Sequence, residues 1–217
     1  MPIYRNADRL VLFVHIPKTG GSTVEEVLKA RGARQALKYH KRLGYANATP
    51  QHMPWEVTRH WVTTEFCDYI WAVVRNPYNR LLSEYRWRET LSKQDLVGFD
   101  EWVNKTFDQY AATPYMLDNH IRPQVEFVSK SVKVFRLEDG LEKAVEAGLA
   151  ALAMPVEGIV LHHKRKSKHE PVEVAPATVD RIRQFYAEDF INFDYDPAKL
   201  PAMYRSPKSV RNLFGLL

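Results

Sequence analysis

A short segment near the start of the chain combines residue types that bind anions. Residues 17–23 read Pro-Lys-Thr-Gly-Gly-Ser-Thr, between an apolar run at Leu10–Ile16 and a stretch with helical apolar spacing. Free backbone N–H groups, two hydroxyls and the ammonium of Lys18 would converge at a helix N-terminus, and such a site suits phosphate. The pattern therefore predicts a buried strand, a phosphate-binding turn and a helix.

The residues after the turn indicate how the helix begins. Gly20 and Gly21 allow a sharp turn and a close approach of the backbone to a ligand. We expect Ser22 or Thr23 to cap the helix, with the acidic residues at positions 25 and 26 in its first turn. The segment does not match a Walker A loop, because that motif places its lysine after the glycines and Lys18 precedes them. An ordinary strand-to-helix turn with a surface lysine is the alternative.

A second segment of the same kind follows the next predicted strand. Tyr69–Val74 is rich in β-forming residues, an Asn-Pro turn follows, and Arg80–Leu91 has the pattern of a helix. Arg75 at the strand end offers a forked, charge-assisted contact to phosphate, and Ser83 on the helix adds a hydroxyl. The alternative is a capping arginine and a serine that faces the core.

Together the two segments resemble the nucleotide-binding motifs of sulfotransferases that use 3′-phosphoadenosine 5′-phosphosulfate (PAPS). The form His-Ile-Pro-Lys-Thr-Gly-Gly at residues 15–21 is most similar to the carbohydrate branch, which includes the heparan and chondroitin sulfotransferases. The resemblance covers roughly residues 10–195 and implies PAPS as co-substrate, with adenosine 3′,5′-bisphosphate (PAP) as product. The residues implied to hold the nucleotide are Lys18, Thr19, Gly20, Gly21, Ser22 and Thr23 at the 5′-phosphate, and Arg75 and Ser83 at the 3′-phosphate.

The resemblance also implies contacts to the acceptor. An Arg-Pro-Gln segment lies near the acceptor in the carbohydrate branch, and the similar segment here makes His120, Arg122 and Gln124 candidate acceptor contacts. A polar loop without such a role is the alternative.

A basic run at residues 162–169 is similar to a late loop that folds over the nucleotide in this family. Its matching residues are Lys166 and Ser167. A solvated charge run and a nucleic-acid patch are the alternatives. No aromatic residue for base stacking interrupts the run, which weakens the nucleic-acid interpretation.

The general base is expected to be a histidine, since a hydroxyl acceptor must lose a proton near neutral pH. His52 lies between the nucleotide segments, where the carbohydrate sulfotransferases have their base, and the helix N-terminus expected at Pro54 would disfavour its protonated form. A solvated histidine at a helix start is the alternative. His120 is the second candidate, and His15 lies inside the strand pattern and is expected to be structural. The other histidines are His40, His60, His162, His163 and His169.

The histidines and the one cysteine do not have the spacing of zinc motifs. We therefore predict catalysis without a metal, with Lys18 supplying the charge stabilisation that magnesium supplies in kinases.

These motifs predict transfer of a sulfuryl group from PAPS to a hydroxyl, with an amine as second choice, by in-line displacement. The branch resemblance favours a carbohydrate acceptor. Two alternatives stay open. A P-loop-like nucleotide kinase would need ATP and magnesium, and a non-catalytic basic protein would bind nucleic acid or another polyanion in a salt-sensitive way.

Length and composition limit the fold. The 217 residues, 45% of them hydrophobic, predict one domain over residues 1–217, with a core at about 10–195 and a tail at 196–217. Strands that alternate with helices predict a three-layer α/β domain with a mainly parallel central sheet. Ligands of such sheets bind at the carboxyl ends of the strands. The resemblance implies the same architecture, a P-loop-like sulfotransferase fold.

Charge and cysteine content bear on partners and compartment. The net charge of +5 suits an anionic cofactor or substrate, and Cys67, the only cysteine, fits a reducing compartment. No apolar run reaches the roughly 20 residues of a membrane span, and no signal-peptide pattern opens the chain. We expect a cytoplasmic, bacterial-type enzyme that binds no nucleic acid. A Golgi enzyme trimmed of its anchor is the alternative, and the oligomeric state is left open.

Overall fold

The structure, a computed structural model, describes residues 1–38, 41, 46–92, 96–161 and 170–207. Its strands of the central sheet are β1 (Ile3–Asn6), β2 (Arg9–Val14), β3 (Arg34–Ala36), β4 (Tyr69–Val74) and β5 (Lys133–Arg136). Its helices are α1 (Gly21–Ala30), α2 (Trp55–Thr58), α3 (Pro77–Leu91), α4 (Phe99–Ala112), α5 (Glu142–Ala151), α6 (Pro176–Phe185) and α7 (Ala187–Asn192).

The central sheet is mixed. Its strand order is β3-β1-β2-β4-β5. β2 pairs with β4, and β4 with β5, in parallel, whereas β1 pairs antiparallel with both β2 and β3. The prediction of a mainly parallel sheet therefore holds only for the half that contains β2, β4 and β5.

The antiparallel half was not predicted, because residues 1–9 and 32–51 look polar. Tyr4 in β1 is nevertheless fully buried, and the Gln35 side chain of β3 donates a hydrogen bond to its hydroxyl at 2.5 Å. β1 and β3 depend on their cross-strand partners rather than on an apolar run of their own. The sequence of a short polar segment does not reveal which strand it pairs with.

Helices cover both faces of the sheet, as the three-layer prediction requires. Successive strand residues point to opposite faces, so Leu12 and Ala72 enter one hydrophobic cluster and Phe13 and Trp71 enter the other. The first cluster is closed by α3, α4, α6 and α7, and the second by α1 and α5.

Apolar residues at helical spacing predict one helix over Thr178–Phe190, whereas the structure has two helices there. α6 and α7 are separate, and Tyr186 between them has φ −108° and ψ 24°. Its buried hydroxyl donates to the carbonyl of Ile121 at 2.7 Å, a tertiary contact that no local pattern reveals.

A second, two-stranded parallel sheet joins β6 (Val172–Glu173) to β7 (Tyr204–Arg205). Residues 208–217 of the predicted tail lie outside the described residues. Within the described ranges, no helix has the length and apolar character that crossing a membrane requires.

Candidate active site

A cavity of about 980 Å³ lies at the carboxyl ends of β2 and β4. The two strands are parallel, so the loops that follow them meet at one edge of the sheet. Two groups of residues line the cavity or bond directly to its lining. We call the lining residues of the anion loop (residues 17–23), with Arg75 and Ser83, the loop wall. The histidine wall comprises His15, His52 and His120 with their carboxylate partners Glu25, Asp118 and Glu84.

The backbone of the anion loop sets where α1 begins. Lys18 and Gly20 have left-handed φ values of 68° and 88°, and α1 starts at Gly21 with Gly20 as its N-cap. The prediction of a cap at Ser22 or Thr23 is therefore wrong. Thr23 already donates its backbone N–H to the carbonyl of Gly20 at 3.0 Å. Both hydroxyl residues lie in the first turn and line the cavity, while that turn holds no acidic residue, contrary to the expectation for positions 25 and 26.

Close packing under the loop explains its second glycine. A Cβ atom on Gly21 would lie 2.8 Å from Nε2 of His15, closer than real Cβ contacts come. The side chain of Thr19 points away from the cavity. It is buried, and its hydroxyl donates a hydrogen bond to the carbonyl of Ile16 at 2.9 Å. Of the predicted loop residues, Thr19 alone is missing from the cavity lining.

Two arginines hold the carbonyl side of the loop. Arg75 donates from Nη1 to the carbonyl of Lys18 at 3.2 Å, and Arg80 donates from Nε to the carbonyl of Pro17 at 3.0 Å. Arg80 is almost completely buried and also donates from Nη2 to the carbonyl of His120 at 2.9 Å. A single side chain therefore ties the anion loop to the histidine wall.

The three histidines of the histidine wall stand in a row. The ring centroids of His15 and His52 are 5.2 Å apart, and those of His52 and His120 are 4.9 Å apart. His15 follows β2 and lines the cavity rather than facing only the core. The interpretation of His15 as a purely structural strand residue is therefore too narrow.

Each histidine bonds a carboxylate through Nδ1. The Nδ1–oxygen distances are 2.5 Å for His15 and Glu25, 2.7 Å for His52 and Asp118, and 2.7 Å for His120 and Glu84. An imidazole whose Nδ1–H is donated to a carboxylate keeps Nε2 as a hydrogen-bond acceptor.

Burial favours the neutral form of His52 and His120. It lowers the pKa of His52 and of His120 below the ordinary value, although the partner carboxylates oppose the shift. Burial alone would raise the pKa of Asp118, but hydrogen bonds from His52 and Thr49 outweigh it and lower that pKa to about 2. A neutral imidazole beside an ionised carboxylate is the protonation state that a general base needs.

Two of the three predicted acceptor contacts lie behind the cavity. Arg122 is buried, donates from Nε to Asn119 at 2.9 Å and lies over the ring of Tyr115. The Gln124 side chain is fully buried and pairs with both the N–H and the carbonyl of Arg75, at 2.9 and 2.8 Å. Neither residue lines the cavity, so their positions support its walls, and only His120 of the predicted set faces the cavity.

Comparison with known protein families identifies the family of the chain that forms this site. A model of the sulfotransferase family matches residues 2–196. The chain belongs to the sulfotransferase family. No curated protein and no solved structure matches the chain.

Among the residues of the sulfotransferase that the structure describes, one cluster has donor atoms close enough to hold a metal ion. Ligand atoms of His52, Asp118 and His120 lie within 4.8 Å of one another. Hydrogen bonds already engage Nδ1 of both histidines and both oxygens of Asp118, which accept from His52 and from Thr49. Catalysis without a metal stays a prediction for this enzyme.

Some predicted residues lie outside the part of the sulfotransferase that the structure describes. They are Lys166 and Ser167 of the predicted nucleotide loop, and His40, His162, His163 and His169. His60 is described and exposed, and it does not line the cavity.

Several residues important to the site, Arg80 among them, were not predicted from the sequence. Glu84, Trp87 and Arg88 lie on α3, at helical spacing from Arg80, and Asp118 lies two residues before His120. The i, i+4 and i+8 spacing of Arg80, Glu84 and Arg88 was the available signal, because it marks one polar face on a helix otherwise expected to bury apolar residues.

Proposed function

We propose that this sulfotransferase transfers a sulfuryl group from PAPS to a hydroxyl of a carbohydrate acceptor. The observation that carries the proposal is one cavity lined by both the anion loop with Lys18 and two histidines, each backed by a carboxylate. Sulfuryl transfer needs a charged leaving-group site and a proton acceptor close together, and this cavity contains groups of both kinds.

The loop wall is suited to the nucleotide. We assign the 5′-phosphate to the first turn of α1, where backbone N–H groups and the hydroxyls of Ser22 and Thr23 lie at the positive end of the helix. Arg75 and Ser83 would hold the 3′-phosphate. Thr19 would contribute its backbone only, because its hydroxyl is bonded to Ile16.

The chemical step joins the two walls. The acceptor oxygen forms a bond to sulfur while the bond from sulfur to the phosphate oxygen of PAPS breaks, so PAP leaves with the electron pair. Lys18 would neutralise the charge that grows on that oxygen. The acceptor proton passes to Nε2 of His52, and Asp118 stabilises the imidazolium that forms.

His120 has the same construction and is the second candidate for the base. Its Nδ1 is bonded to Glu84, its ring lies 4.9 Å from that of His52, and it also lines the cavity. We assign proton transfer to His52 because the sequence resemblance places the base in its segment, and we assign orientation of the acceptor to His120.

The carbohydrate acceptor and a cytoplasmic site of action are parts of the same proposal. The similarity of residues 15–21 to the carbohydrate branch supports the first, and the single, unpaired Cys67 supports the second. The family match favours sulfuryl transfer over the kinase and polyanion-binding alternatives.

A ligand ranking by thermal shift tests the donor. Because a ligand that binds only the folded state raises the melting temperature, PAP should raise it more than ATP with magnesium or an oligonucleotide does. Arg75→Ala should reduce the PAP shift. A larger shift with ATP and magnesium would support the kinase instead.

An activity assay tests the reaction and the metal prediction. PAPS is incubated with desulfated heparan and chondroitin oligosaccharides, and sulfated product is measured before and after exhaustive EDTA treatment. We expect EDTA to leave turnover unchanged. Loss of activity that magnesium restores would contradict the prediction that Lys18 replaces a metal.

A further inference from the structure

The indole of Trp87 lies between the two walls of the cavity. The Lys18 ammonium lies over its ring, 4.9 Å from the centroid, and the ring of His120 stacks on it at 5.0 Å with an interplanar angle of 21°. The Arg88 guanidinium is also over the ring, at 4.7 Å. One half-buried side chain therefore contacts both the candidate leaving-group cation and a candidate acceptor histidine.

Hydrogen bonds hold the backbone of Lys18 in place, but these bonds do not hold its side chain. Arg75 and Arg80 bond the carbonyls of Lys18 and Pro17. The four-carbon stem of lysine can still take many rotamers. Among the described residues, no carboxylate lies within ion-pair distance of Nζ, so the contact that locates the ammonium is the face of Trp87.

His120 is located by the same helix. Glu84, one turn before Trp87 on α3, bonds Nδ1 of His120, and Trp87 stacks on its ring. Arg88 in turn donates to Glu84 at 2.6 Å. Side chains of the protein already lie against the indole ring of Trp87. The ring is therefore not free to serve as a stacking surface for a sugar.

We propose that Trp87 is a positioning residue that sets the separation between the Lys18 ammonium and the His120 imidazole. The inference rests on the proposed function, since in-line displacement requires the leaving group and the attacking oxygen to be held at a defined separation. A side chain that contacts both groups is able to fix that separation without contacting the reacting atoms.

The test compares Trp87→Leu, which removes the aromatic face, with Trp87→Phe, which keeps a smaller one. Trp87→Leu should lower kcat about tenfold while the affinity for PAP, measured by calorimetry, stays within about threefold of the parent value. Trp87→Phe should restore most of kcat. Trp61→Leu is the matched control, because Trp61 is 69% exposed and outside the cavity lining, and it should behave as the parent.

A double-mutant cycle separates positioning from a general structural role. If Trp87 acts through Lys18, Trp87→Leu should cost little further turnover in a Lys18→Ala background, whereas independent effects would multiply. Multiplying losses, or parental turnover in Trp87→Leu, would overturn the inference.

Folding and donor binding are controlled separately. If Trp87→Leu does not melt cooperatively, Trp87→Met takes its place. If neither variant folds, Trp87 is a structural residue and the inference fails. If the parent protein binds no PAP and transfers no sulfuryl group, the proposed function fails. If the parent protein binds PAP and transfers a sulfuryl group, and Trp87→Leu has the kinetics of the parent, only this inference fails and the proposed function stands.

Discussion

The loop wall and the histidine wall are built in different ways. The residues of the loop wall come from two continuous segments, the anion loop after β2 and the segment from Arg75 to Ser83 after β4, and the wall relies on backbone geometry at strand ends and helix starts. The histidine wall brings together side chains from segments up to about 100 residues apart in sequence, as in His15 and His120. A site of the first kind is visible as a motif, whereas a site of the second kind exists only once the chain has folded.

The two walls also differ in what a substitution removes. In the histidine wall, the carboxylates of Glu25 and Glu84 are almost fully buried and are charged because cationic and N–H groups surround them. Removal of one partner leaves an uncompensated buried charge. In the loop wall, a substitution would remove a proposed contact to the nucleotide. Turnover, nucleotide affinity and stability therefore have to be measured separately for each variant.

The largest expected effect is that of His52→Ala. Loss of a general base should lower turnover about 10²–10⁴-fold, and the affinity for PAP should be near parental because His52 lies in the histidine wall. Turnover is measured in single-turnover assays with PAPS and the best oligosaccharide acceptor, and PAP affinity by calorimetry.

His60→Ala is the control for this change, since His60 is exposed and does not line the cavity. Near-parental turnover in His52→Ala, with the loss appearing in His120→Ala, would move the base to His120. A large loss of PAP affinity in His52→Ala would contradict the division of the cavity into two walls.

Lys18→Ala should have the next largest effect. Removal of one group that stabilises charge developing in the transition state costs about 10²–10³-fold in turnover, with a small change in PAP affinity. Arg75→Ala should show the reverse pattern, with the main loss in PAP affinity. Parental binding and turnover in both variants would refute the assignment of the loop wall to the nucleotide.

Much of the fold and of the loop wall was predictable from the sequence. β2 and β4 are parallel strands buried on both faces, so they appear as apolar runs, and the turns after them carry glycine, lysine and arginine in recognisable order. Gly20 at the start of α1 has a left-handed backbone conformation, a requirement that depends only on the local chain. Local causes leave local patterns, which is why the residues of this wall could be predicted, apart from Thr19, whose buried side chain points away from the cavity.

The histidine wall was only partly predictable, and α3 shows why. Beside the apolar residues that α3 packs into the first hydrophobic cluster, it also buries Arg80 and Glu84 almost completely. Hydrophobic periodicity therefore indicates a helix there without indicating which face is functional. The pairing of His52 with Asp118 depends on how residues 49–52 pack against residues 117–120, a tertiary contact that no spacing reveals.

A smaller loss is expected when the carboxylates behind the histidines are neutralised. Asp118→Asn removes one charge-assisted hydrogen bond to His52, worth about 1.5–3 kcal/mol, so turnover should fall about 10- to 100-fold. Glu84→Gln should reduce turnover less if His120 only orients the acceptor. Equal and additive losses in the two variants would indicate that both histidines transfer protons. Thermal melts must accompany both, because Glu84 also bonds Arg88.

The mildest perturbation is pH. Burial lowers the pKa of His15, His52 and His120 below the ordinary 6.5, so the acid limb of kcat/KM should lie below pH 6.5.

In the unfolded chain these histidines regain ordinary pKa values and bind more protons than in the folded protein. The free energy of unfolding should therefore fall as pH drops below about 6.5, by up to about 1.4 kcal/mol per pH unit for each proton of difference. Urea unfolding at a series of pH values measures this slope. His52→Ala should reduce the slope and the exposed His60→Ala should not. An acid limb above pH 7 would contradict the assignment of His52 as a base that is neutral at pH 7. A slope that His52→Ala leaves unchanged would show that His52 is not a buried, neutral histidine of the histidine wall.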